Sequence, residues 1–318
     1  MASAQQVYEF SASKYLLGTK IDITAESTSV DSMKKAIYYS FREIERIQEV
    51  MSSTIDSSEI YRINQLAGIA PAKVSYETYS IIQRSIDYSI KYNGVFDITI
   101  GCITELWGFS SDKPVTRVPD KKTIDSLLNF VGYGKIVMNP ADTSVFLPLK
   151  GMKIDLGGIA KGYAIDRAAM IMKSKGMTSF FINGGGDIYT SGLKSGGVKW
   201  SIGIKNPRNE NEISARLFAT DCAIGTSGDY ERYAIIDGVR YHHIFDTKTG
   251  YSCMNSESAT ALVSTTEEAV VLSKILFIEG GEKYLQNPAG VAGLVIGAEG
   301  KLYFDAGLNA QYEFEAVK

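Results

Sequence analysis

The sequence contains few of the residues that build disulfide frameworks and metal clusters. Its 318 residues include three cysteines, Cys102, Cys222 and Cys253. They are far apart and odd in number, which fits neither a disulfide framework nor a zinc site, and we expect buried, small apolar side chains. Only two histidines occur, the adjacent His242 and His243. Any chemistry that needs an imidazole therefore falls on this pair.

Long apolar runs and strong net charge are also missing. No run of about 18 apolar residues exists, so we expect no transmembrane segment. The formal net charge of −3 gives no electrostatic reason to expect nucleic acid as a partner. Residues 1–12 lack the basic and apolar parts of a signal peptide. We expect them to be a disordered or expression-derived N-terminus that precedes a single domain over residues 13–318.

The most informative segment runs from residue 154 to residue 192. It has one glycine corner, Gly157-Gly158, just before Lys161 and a helical apolar pattern. A short apolar strand then leads to Asn183 and a second corner, Gly184-Gly185-Gly186. Glycines let backbone approach a ligand closely, and amides at a helix N-terminus favour an anion. Tight turns in an ordinary scaffold are the alternative, and neither corner matches a dinucleotide or P-loop motif.

Hydrophobic periodicity predicts a mixture of helices and strands. Helices are expected at about residues 30–51, 76–92, 120–130 and 266–277, and after Lys161 up to Gly176. Strands are expected at about residues 15–25, between residue 130 and Leu149, and at 180–182, 198–204, 215–217, 222–226, 233–237, 241–245, 293–296 and 302–304. Residues 110–122, with two prolines, form a connector. This mixture favours an α+β fold with a ligand groove between its layers.

Several motifs, in order along the chain, resemble one family. DLGGIAKGYAIDRA followed by INGGGDI is similar to the signature of the FAD:protein FMN transferase, or ApbE, family. Further matching segments are Leu17-Gly18-Thr19, residues 51–64, residues 93–99, residues 106–109, residues 226–232 and residues 243–250. The resemblance extends from about residue 15 to residue 280.

This resemblance implies both a fold and an activity. Family members have a two-lobed fold of mixed or antiparallel sheets with packed helices, and flavin binds in the groove between them. They bind FAD, cleave its pyrophosphate with a divalent metal, usually Mg²⁺, and transfer FMN to a threonine or serine of a partner flavoprotein. Some spirochaetal relatives instead hydrolyse FAD. The resemblance also implies an extracytoplasmic location, either periplasmic or lipid-anchored.

The same resemblance implies a set of site residues. It gives His243 and Asp246 as catalytic candidates, because a site that handles phosphates benefits from a group near neutrality. The implied flavin-binding residues are Leu17, Gly18, Thr19, Thr54, Val95, Phe96, Asp97, Lys161, Asn183, Gly184, Gly185, Thr226, Ser227, Gly228, Asp229 and Ile244. Lys274 departs from the family pattern and is a further flavin-binding candidate because of its charge. Plainer roles are open for three of these residues. Lys161 could be a solvated side chain, Asp229 a turn residue and His243 a structural histidine.

One departure from the family pattern concerns the metal. The family's metal-binding Asp and Thr, four residues apart on a helix, correspond here to Val270 and Lys274. Only the backbone carbonyl of Ala160 remains of the implied ligand set, and Mg²⁺ prefers oxygen ligands. Lys274 could replace the metal as a cation, or it could extend into solvent while Val270 fills the gap. The chain is therefore predicted to be either a FAD:protein FMN transferase or a non-catalytic, metal-independent FAD-binding relative.

Overall fold

The computed structural model describes residues 6–109, 113–286, 291–304, 308 and 312–317. The helices are α1 Val30–Met51, α2 Glu59–Gln65, α3 Tyr76–Lys91, α4 Gly101–Trp107, α5 Lys121–Leu128, α6 Ala160–Ser174, α7 Thr266–Glu279 and α8 Gly281–Gln286. The strands are β1 Tyr8–Leu16, β2 Thr19–Ser27, β3 Ala72–Lys73, β4 Val137–Asn139, β5 Ser144–Phe146, β6 Ser179–Gly184, β7 Asp187–Ser191, β8 Trp200–Lys205, β9 Ile213–Ala219, β10 Ala223–Gly228, β11 Tyr233–Ile236, β12 Val239–His242, β13 Ser256–Val263, β14 Ala292–Gly297, β15 Leu302–Phe304 and β16 Glu313–Ala316.

Eight of the described strands form one antiparallel sheet in the order β1-β2-β6-β7-β10-β13-β14-β15. Helices α1, α6 and α7 pack on one face, where they enclose the largest hydrophobic core. A smaller sheet, β16-β9-β8, covers the central strands on the other face through a second core. The predicted α+β class with antiparallel sheets is confirmed. The largest core draws residues from Leu16 to Val295.

Capping residues and glycines in the sequence correctly predict where long helices begin and end. Ser29 caps α1 by accepting a hydrogen bond from the Ser32 amide, and α1 has the bounds that its apolar spacing predicts. Helix α6 ends before Gly176, whose φ of 78° suits a glycine just past a helix end. In the described part of the chain, no helix is both long and apolar enough to cross a bilayer.

The N-terminal segment differs from the prediction. The strand expected over residues 15–25 is a hairpin, because Leu17 and Gly18 adopt φ values of 53° and 71° and reverse the chain. Strand β1 begins at Tyr8, so residues 8–12 belong to the sheet rather than to a disordered tail. Phe10 and Ala12 pack against the large core, which accounts for the early start.

Other boundaries differ for reasons of burial and pairing. Strand β12 ends at His242 instead of continuing to residue 245. Helices α2, α4 and α8 and strands β3, β7, β13 and β16 were not predicted. The residues of β13 are almost all buried because both faces of the sheet are covered, so the strand lacks the alternation that signals a half-exposed strand. Residues 110–112 of the expected connector lie outside the described residues.

Helix α7 lies very close to strand β10. A Cβ added to Gly225 would clash with the backbone of Ala269 and Val270. A larger residue at position 225 would push the helix outward, and packed interiors tolerate that poorly. This approach holds the middle of α7 above the strand that carries Thr226 and Ser227.

Candidate functional site

The candidate site lies where the start of α6, the β6–β7 turn, β10 and the middle of α7 meet. At its base, the Lys161 ammonium contacts the Asp187 carboxylate at 2.7 Å. Asp187 is only 2% exposed, and its other oxygen accepts a 3.2 Å hydrogen bond from the Thr226 amide. Lys161 is therefore a partner of a buried carboxylate and not a freely solvated side chain. Asp187 belongs to the INGGGDI segment that is similar to the family signature.

Lys274 extends from α7 toward the first glycine corner. A Cβ added to Gly158 would lie 3.6 Å from both Cδ and Cε of this lysine. Its charge interacts favourably with Asp187 and Asp155 and unfavourably with Lys161. Burial is the main reason that the pKa of Lys274 is lowered to about 8. In the described part of the chain, no carboxylate lies within ion-pair distance of its ammonium.

His243 lies directly after β12, near this lysine. Its amide donates to the Arg232 carbonyl at 3.2 Å, and its Nδ1 lies 3.4 Å from the same oxygen. Removal from water and then the positive charges of Lys274 and Arg232 lower the pKa of His243 to about 3. The ring is thus neutral at pH 7. Because a carbonyl only accepts, Nδ1 is the donor and Nε2 keeps its lone pair.

The neighbouring His242 has a structural role. It is 1% exposed, and its Nε2 donates to the Cys253 carbonyl at 2.7 Å. Its Nδ1 accepts from the Ile244 amide at 3.2 Å, and the ring packs edge-on against Phe277. Both ring nitrogens are therefore engaged within the fold. Only His243 can offer a ring nitrogen to a ligand.

The β1–β2 turn contributes backbone to the site. The Gly18 carbonyl accepts from the Tyr15 hydroxyl at 2.9 Å and from the Arg232 guanidinium at 3.4 Å. Thr19 packs so closely on Gly185 that an added Cβ there would clash with its hydroxyl. The structure thus brings the predicted Leu17-Gly18-Thr19 segment next to the second glycine corner. Arg232 was not predicted, although it ends the matching segment at residues 226–232.

The side chains of Asn183, Thr226 and Ser227 make hydrogen bonds that hold the segments of the site in place. Asn183 accepts from the Gly186 amide at 2.9 Å and so closes the β6–β7 turn. The Ser227 and Ser273 hydroxyls lie 2.9 Å apart and join β10 to α7 one residue before Lys274. The Thr226 hydroxyl pairs with that of Thr260 at 3.0 Å. These contacts fix the backbone on which the two lysines are placed.

The ApbE family profile matches residues 17–294, which is most of the chain. The chain belongs to the ApbE family. It is 28% identical to the FAD:protein FMN transferase of Treponema pallidum over 95% of this chain and 88% of that protein. It is 30% identical to one from Klebsiella pneumoniae over 88% of this chain and 85% of the relative.

Solved structures agree with this membership. The ApbE protein of Thermotoga maritima superposes with a TM-score of 0.88 at 32% identity, over 96% of this chain and 99% of that one. The flavin transferase ApbE from Vibrio cholerae superposes with a TM-score of 0.85 at 27% identity, over 96% and 99% of the two chains. The ApbE fold expected from the motifs is confirmed.

Two predicted carboxylates of this ApbE chain are engaged by the fold itself. Asp229 accepts two 2.8 Å hydrogen bonds from Arg208, which also contacts Glu257 at 3.0 Å. Asp97 accepts from the Thr99 amide and hydroxyl and from the Tyr133 amide. Burial raises its pKa despite these hydrogen bonds. The flavin-binding roles given to both stay predictions.

The remaining predicted residues hold turns or pack nearby. Asp246 accepts from the Lys248 amide at 2.8 Å and so forms a turn. Thr54 is exposed and pairs with the Ser52 hydroxyl at 3.1 Å. Packing residues include Phe96, which lies close to Gly158, together with Val95, Gly228 and the buried Ile244. No ligand role for these residues is tested by the geometry.

The donor chemistry at the implied metal position does not fit Mg²⁺. Among the described residues, no group of three or more His, Cys, Asp or Glu side chains is arranged to hold a metal ion. Val270, which is 1% exposed, provides no oxygen ligand, and Lys274 provides a positive charge. One backbone carbonyl, that of Ala160, cannot form an oxygen shell for this ion.

The depressed pKa of His243 predicts how stability responds to acid. An unfolded chain binds a proton on this ring near pH 6.5, whereas the folded chain binds it near pH 3. The stabilisation is therefore complete above pH 6.5 and is lost as the pH falls toward 3. In His243→Gln, the free energy of unfolding should fall less between pH 7 and pH 5, by about 2 kcal/mol.

Urea unfolding at both pH values measures this difference. Lys35→Met, which removes an exposed charge on α1, is the control and should follow the parent chain. Equal pH dependence of the parent and His243→Gln would contradict the assignment of a neutral, desolvated imidazole.

Proposed function

We propose that this ApbE chain binds FAD at the site around Lys161, Lys274 and His243 and acts as a FAD:protein FMN transferase. One observation carries the proposal: two lysines converge on two glycine corners beside the N-terminus of α6. Such an arrangement favours an anion, because the positive end of a helix dipole and ammonium groups both stabilise phosphate charge. The names of the Treponema and Klebsiella relatives support the same function.

The proposed reaction moves the FMN phosphoryl group of FAD to a threonine or serine hydroxyl. The hydroxyl oxygen bonds to the phosphorus of the FMN half, and the bond to the AMP half breaks. We assign His243 to accept the hydroxyl proton, since its Nε2 lone pair is free. The charge of a bound diphosphate would offset Lys274 and Arg232, which lower the pKa of this ring in the free protein, and so would make the ring a stronger base. Lys161 and Lys274 would offset the phosphate charge. An acceptor flavoprotein and an extracytoplasmic location, both implied by the resemblance, belong to this proposal.

Because Val270 and Lys274 provide no oxygen ligands for a metal, we expect slow cleavage of FAD. A divalent metal in such a site would polarise the phosphoryl group, which an ammonium does much less effectively. We therefore expect binding to be retained and turnover to be slow. The comparisons give no support to the alternative of a purely non-catalytic FAD-binding relative. The one observation in its favour is the pair Val270 and Lys274.

Incubation of the purified protein with FAD tests this proposal. One sample contains Mg²⁺ and the other EDTA, and FAD, FMN and AMP are followed by chromatography. No acceptor protein is present, so water takes the place of the acceptor hydroxyl and cleavage releases FMN together with AMP. We expect bound FAD in both samples, slow formation of AMP and FMN, and little difference between them. His243→Asn should retain FAD and form less AMP, because it loses the proton acceptor.

Two results would contradict the proposal in different ways. Failure to retain FAD in either sample would remove the flavin-binding function. Rapid, strictly magnesium-dependent AMP formation would support the transferase but refute our conclusion about the metal ligands.

Restoring oxygen ligands should create a metal response. Val270→Asp with Lys274→Thr places a carboxylate and a hydroxyl on one face of α7, four residues apart. We expect AMP formation by this double variant to rise on addition of Mg²⁺, because the ion gains ligands and loses a competing charge. Chromatography at several Mg²⁺ concentrations measures the response.

The control is Val270→Asp alone. Its new carboxylate faces the Lys274 ammonium, so we expect an internal ion pair and little response to Mg²⁺. A double variant that binds FAD but shows no gain with Mg²⁺ would mean that these two positions do not border the reacting phosphates.

A further inference from the structure

We propose that the Lys274 ammonium binds the pyrophosphate of FAD directly, so that this chain holds FAD without a divalent cation. The inference deepens the proposed function and rests on it. It concerns which group of this particular chain neutralises the diphosphate.

The sequence around Lys274 indicates that its charge has a purpose. It is the only charged residue between Ala269 and Ile278 in a segment that reads AVVLSKILFI. Nearly all of its neighbours on α7 are buried, on both sides of the helix. An apolar residue would be the cheaper choice in such surroundings, since an ammonium loses hydration when it leaves water.

The position of the side chain indicates where the charge acts. Cδ and Cε of Lys274 lie beside Gly158, within the corner that opens helix α6. That helix has 15 residues and begins at Ala160, without a side-chain hydrogen bond at its N-cap. The positive end of its dipole and the Lys274 ammonium therefore both favour an anion at the same corner.

The charge balance leaves Lys274 available for a ligand. Lys161 already contacts Asp187 at 2.7 Å, and Oδ1 of Asp155 accepts a 2.8 Å hydrogen bond from the Gly157 amide. Within the described residues Lys274 makes no ion pair of this kind. Lys274 and Arg232 both disfavour protonation of His243, which places a region of positive potential at the imidazole. A diphosphate bound there would lie in this positive potential.

This arrangement separates binding from catalysis. An ammonium is a compact point charge that can bind a phosphate oxygen through up to three donors. Because it is not a strong Lewis acid, it would hold FAD without greatly accelerating cleavage. Affinity for FAD should accordingly be insensitive to EDTA.

The test compares flavin binding by the parent chain and by Lys274→Met in buffer containing EDTA. Methionine keeps the length of the apolar stem and removes the charge. Loss of one charge-assisted contact predicts about a tenfold to hundredfold weaker affinity for FAD. Riboflavin, which has no phosphate, should bind both proteins equally. Fluorescence titration measures both flavins, and Lys35→Met is the matched lysine control on an exposed face of α1.

Each outcome decides the inference. A selective loss for FAD in Lys274→Met, with partial recovery in Lys274→Arg, supports it. An unchanged affinity for FAD overturns it, and so does an equal loss for FAD and riboflavin, which would indicate a change of pocket shape. A parent chain that binds riboflavin but requires Mg²⁺ for FAD also overturns it, whereas the proposed function would stand. A parent chain that binds neither flavin in either buffer contradicts the proposed function itself.

Discussion

The buried carboxylate of Asp187 is the constraint on which the site depends. It joins three elements, because it begins β7, contacts Lys161 of α6 and accepts the Thr226 amide of β10. A buried charge without partners is costly, so this residue keeps the first turn of α6 close to the sheet. The close approach of α7 to Gly225 completes the enclosure. The glycine corners and the lysines therefore have fixed positions relative to one another.

The electrostatic character of the site follows from this arrangement. The Lys161 ammonium balances the charge of the Asp187 carboxylate. The charge of Lys274 therefore remains available to a ligand that binds at the Gly157-Gly158 corner. The same lysine, together with Arg232 and burial, keeps His243 neutral at physiological pH. When a diphosphate neutralises these two cations, the imidazole can accept a proton from a hydroxyl while the cations stabilise phosphate charge. One substitution on α7 would thus influence both the binding and the chemistry of the site.

Much of this organisation could be predicted from the sequence, and the parts that could not have physical reasons. Helix α1 and the stop of α6 at Gly176 follow from periodicity and capping, which are local signals. The β1–β2 hairpin was missed because a Leu-Gly turn is an uncommon reversal signal. Motif membership identified Lys161 and His243, but the engagement of Asp229 by Arg208 depends on residues distant in sequence. Contacts of this kind form only when the sheet is assembled, so local sequence patterns do not predict them.

A crystal structure of the protein with FAD, grown in the presence of EDTA, tests the role of Lys274 most directly. We expect the FAD diphosphate at the Gly157-Gly158 corner and a phosphate oxygen about 3 Å from the Lys274 ammonium. We also expect His243 within reach of the reacting phosphate. A diphosphate bound elsewhere, or a Lys274 side chain turned to solvent while FAD is bound, would contradict the proposed role of Lys274.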